Sequence, residues 1–349
     1  MSVEQYVRAM PKVELRVRLE GGFRRETLQI IAEQNDIPES TKNYSQWLKL
    51  LDNPDFNRLD ETIRVLASWL HYRDDITRVV YDLGVQLSKQ NVKYAEVSVN
   101  PALFMVQGMS FEDFMNALND GRDKVQRGWG VRLNWILVLP REEPRRADEI
   151  VRWATSVTGR KGGIVALGLS GKEDSQPIGQ FERPFSNALK KDVPGVVQAG
   201  DVLQGEGILA ALQQLNPARI VDGRGAADAP DVLQLLTDRN IPVDVSMARA
   251  LCHGWVQNYA QFPLRDLYNA DVRVTLNTDL PAFYKSALND EYLAAVTHNA
   301  FTVPELEDLA LNAVSGSLLP EDEKAAMQAE FRAAYAQLRS EHLSAEQTS

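Results

Sequence analysis

Apolar residues along this chain gather in short runs, and between most of those runs the text changes to a helical period. Eight runs are candidate buried strands: Val13 to Leu19, Lys93 to Asn100, Val131 to Leu139, Gly163 to Ser170, Gly195 to Ala199, Arg219 to Gly223, Ile241 to Ser246 and Val272 to Asn277. Short apolar strands alternating with helices predict a parallel α/β sheet covered by helices. Periodicity alone does not separate a closed barrel from an open doubly wound sheet. Two stretches read as helical additions. One spans about 41–90, where Trp47, Leu50 and Leu51, then Leu66, Trp69 and Leu70, fall at helical spacing. The other spans about 303–346, where Met327, Phe331, Tyr335 and Leu338 repeat and Glu321, Asp322 and Glu323 open the last helix. There is no internal repeat, linker or low-complexity block, so one domain over 1–349 is expected.

Composition adds little until charge is considered. The hydrophobic content of 44% and charged content of 25% are ordinary for a globular chain. A net charge of −10 argues against nucleic acid or an anionic membrane as partner. Charges interrupt every apolar run well short of the roughly 18 residues of a membrane span. Met1 to Met10 lacks the apolar core of a secretory signal, and the one cysteine, Cys252, has no partner within the chain. A cytoplasmic protein is the expectation.

Specific motifs then narrow the reading. Pro11-Lys12-Val13-Glu14-Leu15-Arg16-Val17-Arg18-Leu19-Glu20-Gly21 resembles the opening strand of adenosine deaminases, P-K-x-E-L-H-x-H-L-E-G. Leu169-Ser170-Gly171 is similar to that family's L-A-G, and Gln198-Ala199-Gly200-Asp201 to H-A-G-E. Arg219-Ile220-Val221-Asp222-Gly223 resembles R-I-G-H-G, and Leu276-Asn277-Thr278-Asp279-Leu280-Pro281 resembles L-N-[ST]-D-D-P. The matches run in the family's order over nearly the whole chain. The resemblance implies a (β/α)₈ barrel.

The departures bear on function. In the family, two histidines of the first strand, the histidine of H-A-G-E and the first aspartate of D-D-P hold zinc. Here Arg16, Arg18 and Gln198 stand at the three histidine positions, and only Asp279 is kept. Guanidinium has no lone pair to give, and a glutamine carbonyl is a poor zinc ligand. The family's catalytic glutamate becomes Asp201, its catalytic histidine Asp222, and its second aspartate Leu280. No zinc and no other cofactor is expected, and no zinc-dependent deamination. Of the four histidines, His71, His298 and His342 fall in helical or tail segments, and only His253 follows a strand on the mouth side. A hard-metal site of Asp201, Asp222 and Asp279 is an alternative in which the arginines compete for the oxygens.

Two guanidiniums on one strand face repel unless acids neutralise them. A salt-bridge plug of Arg16 and Arg18 with Glu20, Asp201, Asp222 and Asp279 is therefore one expectation, and an arginine left free to clamp a ligand is the other. Arg249 either joins this charge at the mouth or faces solvent. By resemblance, Glu20 would contact a ribose and Gly171 would let a purine approach, although Gly171 also suits a strand-to-helix turn. Three functions remain open: a non-catalytic barrel binding a nucleoside-like or anionic small molecule, a metal-free acid–base enzyme using Asp201 or Asp222, and a deaminase with an improvised metal.

Overall fold

A computed structural model describes residues 2–37, 44–105 and 108–342. Eight strands form one sheet in sequential order with every pair parallel. They are β1 (Lys12–Arg18), β2 (Val92–Val99), β3 (Arg132–Pro140), β4 (Ile164–Ser170), β5 (Gly195–Gln198), β6 (Arg219–Val221), β7 (Val243–Val245) and β8 (Val274–Leu276). The seam between β8 and β1 is closed by main chain. Arg18 N–H donates to Asp279 O and Asp279 N–H to Arg16 O, each at 2.8 Å. The Asn277 side-chain oxygen accepts from Leu15 N–H at 2.8 Å and Arg16 N–H at 3.0 Å, filling a bulge in β1. The sheet is a (β/α)₈ barrel, which resolves the choice that periodicity left open.

All eight expected runs hold a strand, but the last four strands are shorter than the apolar text. Asp222 takes φ +61°, which ends β6 two residues early, and Ser246 caps the helix Met247–Cys252 instead of extending β7. The barrel interior mixes apolar and ionic layers. Ile136, Ala166, Val196 and Val221 form a small cluster of their own, while Leu137, Leu167, Val197 and Ile220, one residue along, join the main core. Arg219, fully buried, pairs with Glu96 at 2.7 Å and Asp244 at 2.5 Å, and donates to Gly316 O at 3.0 Å. Nothing local in the sequence marks Glu96 and Asp244 as the partners of Arg219.

The first helical addition contains Tyr44–Asp52, Leu59–Ala67 and Arg73–Lys89, with Trp47, Leu66, Trp69 and Leu70 buried; positions 41–43 lie outside the described residues. The last helices are Val303–Gly316 and Glu321–His342, and positions 343–346 again lie outside the described residues. Met327, Phe331 and Tyr335 are buried, and Tyr335 donates to Pro11 O at 2.8 Å, fastening the final helix beneath β1. No helix among the described residues is long and apolar enough to cross a membrane.

Candidate functional site

Parallel strands deliver all their C-terminal ends to one rim, where barrel sites are built. A cavity of about 240 Å³ opens there, lined by Arg16, Arg18, Gly171, Gln198, Asp201 and Asp279 among others. Arg16 and Arg18 thus share one face, as their spacing on β1 predicts. Asp222 and Glu20 adjoin the cavity through the arginines they bind.

The charges interleave. Arg16 places Nη2 3.2 Å from Asp222 Oδ2 and Nη1 3.0 Å from Asp279 Oδ1. Arg249 places Nη1 2.7 Å from Asp201 Oδ2 and 3.2 Å from Asp222 Oδ2, with Nε 3.2 Å from Asp279 Oδ2. Two guanidiniums therefore tie three aspartates, and all five side chains are nearly excluded from water. Trp255 covers the outer face of Arg249 with its ring centroid 4.6 Å away. Arg249 joins the mouth, so of its two expected positions the inward one is found. Arg18 is different: it makes one 3.3 Å contact, to Glu20, and its side chain is 22% exposed toward the cavity.

Local backbone chemistry fixes this arrangement. Asp222 and Asp279 both sit at positive φ, +61° and +58°, which a short acid tolerates better than most side chains. Asp279 is also held on both sides by the β8–β1 seam. Two buried glutamates brace the other loops. Glu173 accepts from the amides of Gly200 and Val202 at 2.8 Å and Leu203 at 3.0 Å, around Asp201. Glu291 accepts from Met247 at 2.8 Å and Ala248 at 3.0 Å, at the start of the helix that carries Arg249. Neither brace was identified from sequence. Glu173 follows Gly171 by two residues without a periodic signal, and Glu291 acts from a helix over 40 residues downstream of the one it caps.

Gly171 has a backbone reason to be glycine. Its φ is +108°, and a Cβ there would stand 2.3 Å from Glu142 Oε2. Of the histidines whose side chains are described, His253 alone lines the cavity. Its Nε2 lies 3.1 Å from Tyr284 Oη, which donates to Asp279 Oδ2 at 3.3 Å. Burial and the neighbouring Arg249 hold the His253 pKa below its usual value. His71 packs beside Tyr72 and His298 stacks on Tyr259, away from the mouth.

The donor set does not fit zinc. Two of the three family histidine positions present guanidiniums, and Gln198 turns its Nε2 to Asp201 Oδ2 at 3.2 Å. Among the described residues there is no group of three His, Cys, Asp or Glu side chains poised to hold a metal ion. Asp201, Asp222 and Asp279 carry the right atoms for a hard cation, but each already faces a guanidinium.

Burial, helped by Asp222, pushes the Asp201 pKa up to about 7 against the pull of Arg249. At Asp279 burial is outweighed by Arg16, Arg249 and Arg18, which hold its pKa below the usual range. The raised Asp201 value has a sign. Between about pH 4 and about 7 the folded state binds a proton that the unfolded chain has lost, so this group's stabilisation falls as pH rises through that window. Chemical denaturation from pH 4 to 8 should show wild type losing stability relative to Asp201→Asn as pH rises. Parallel profiles would contradict the assignment.

The adenosine deaminase family profile matches residues 11–334. An aminodeoxyfutalosine deaminase of Streptomyces avermitilis is 27% identical over 333 residues, 94% of this chain and 92% of that protein. An adenosine deaminase of Enterococcus faecalis is 27% identical over 338 residues, covering 95% and 99% of the two chains. The crystal structure of an adenine deaminase from Arthrobacter aurescens superposes with a TM-score of 0.85 at 23% identity, over 93% of this chain and 99% of that one. The matched span includes every strand of the barrel and each residue of the arginine–aspartate cluster, and on that ground the chain belongs to the adenosine deaminase family.

Proposed function

We propose that this barrel binds a nucleoside-like or anionic small molecule at its mouth and does not carry out zinc-dependent deamination. One observation carries the reading: Arg16 and Arg249 tie Asp201, Asp222 and Asp279 together where the family keeps its metal. Purine chemistry is suggested by the relatives, which include adenosine and adenine deaminases. Phe56, His253, Trp255 and Tyr284 offer an aromatic wall for a flat ring, and Arg18 supplies a partly exposed donor beside it. The reading takes residues 1–349 as one functional unit.

A metal-free acid–base enzyme is the second reading, favoured by the buried carboxyl of Asp201 titrating near neutrality beside the cavity. The two separate in one experiment. Purine nucleosides and their monophosphates are titrated calorimetrically in EDTA, and the mixtures are then chromatographed. Binding weakened by Arg18→Ala, with the ligand recovered unchanged, is the expected result. Catalytic conversion in EDTA would establish the second reading, and the absence of any binding would remove this ligand class.

A further inference from the structure

The end of the barrel opposite the mouth carries a second concavity. Ala218, Pro242 and Arg273 each stand immediately before a strand, β6, β7 and β8, and all three line a cleft of about 490 Å³. Because every strand is parallel, this cleft lies at the N-terminal end of the barrel and shares no residue with the mouth cavity. The helix Glu321–His342 and the residues Ser315–Leu318 form its other wall.

Its charges do not cancel. Arg273 and Lys324 are the two cations in the wall and Glu321 is the one carboxylate, in a chain whose net charge is −10. Glu321 is engaged by Lys324 at 2.8 Å. Arg273 is partly buried, and among the described residues its guanidinium has no hydrogen bond and no carboxylate within ion-pair distance. Burial lowers its pKa, with Glu321 the one charge opposing that shift. A partly desolvated guanidinium without an acceptor gains from any oxyanion that reaches it. Asn240, Ser317 and Gln328 add polar groups around it, and the flank of the helix Glu321–His342 that carries Lys324 and Gln328 lines the same wall. The volume suits a small metabolite.

We propose that the cleft between Arg273 and Lys324 is a second binding site, for the oxyanion group of a small phosphorylated or carboxylated metabolite. This site is independent of the reading given for the mouth. Calorimetric titration with inorganic phosphate and, separately, citrate tests it on the full chain. Binding of at least one anion is expected, weakened about tenfold or more by Arg273→Ala, less by Arg273→Lys, and measurably by Lys324→Ala. Arg18→Ala removes any anion binding at the mouth, and the binding that remains in that variant belongs to the cleft and should still fall with Arg273→Ala. Phosphate binding alone points to a phosphorylated ligand and citrate binding alone to a carboxylated one. If Arg273→Ala fails to fold, Lys324→Ala carries the test. Anion binding insensitive to both cleft residues, or lost with Arg18→Ala instead, overturns the proposal, as does the absence of binding by either anion.

Discussion

Arg249→Ala is expected to lower the unfolding free energy by about 3–5 kcal/mol, the cost of stranding buried charge. Arg249 reaches Asp201, Asp222 and Asp279, so its removal leaves Asp201 without a cation and Asp222 and Asp279 with Arg16 alone. Loss of the Trp255 contact adds to the effect. Arg16→Ala should cost a similar amount, because it strips Asp222 and Asp279 of their inner partner. Arg18→Ala should cost about 1 kcal/mol or less, since that side chain is partly solvated and makes one contact. Carboxylates left without a cation take up protons more readily, so the Arg249→Ala deficit should shrink as pH is lowered from 8 toward 5.5. Denaturant melts of the three variants check the ranking. Equal stability of wild type and Arg249→Ala would mean that the cluster does not brace the barrel.

Much of this was legible in the text of the chain. The eight strands were readable because both faces of a parallel sheet are buried, which makes each strand a short apolar run. Barrel closure was not. It rests on Asn277 and Asp279 reaching β1 across more than 250 residues, and only resemblance pointed to it. Arg16, Arg18, Gln198, Asp201, Asp222 and Asp279 were all found as departures from, or survivals of, family motifs. The sequence leaves open the partner that completes their cluster, because Arg249 is the third residue of a short helix whose direction depends on the Ser246 cap and on Glu291. Resemblance suggests ligand contacts for Glu20 and Gly171; the structure gives Glu20 an ion pair with Arg18 and gives Gly171 a backbone role.

The second large effect concerns restoring a metal. Arg16→His and Arg18→His together should not yield a zinc protein, because Gln198 still lacks the third imidazole. Adding Gln198→His, Asp201→Glu and Asp222→His rebuilds the family's ligands and acid–base pair. It leaves Arg249 with its Nε 3.2 Å from the one surviving zinc ligand, Asp279. A fixed cation at that point opposes a divalent ion through Coulomb repulsion and through competition for the carboxylate. Zinc uptake is therefore expected to rise by about tenfold or more when Arg249→Ala joins the five reversions, and zinc-dependent deamination of adenosine to appear only then. Equal zinc uptake with and without Arg249 would show that the guanidinium is no barrier.

Elemental analysis of the unaltered protein tests the central claim most directly. The chain is produced with zinc in the medium, dialysed against a mild chelator and then against buffer, and zinc is measured per chain. The arginine–aspartate cluster predicts far less than one zinc per chain, with no adenosine deamination when zinc is added back. About one tightly held zinc per chain, together with turnover that the metal controls, would contradict it.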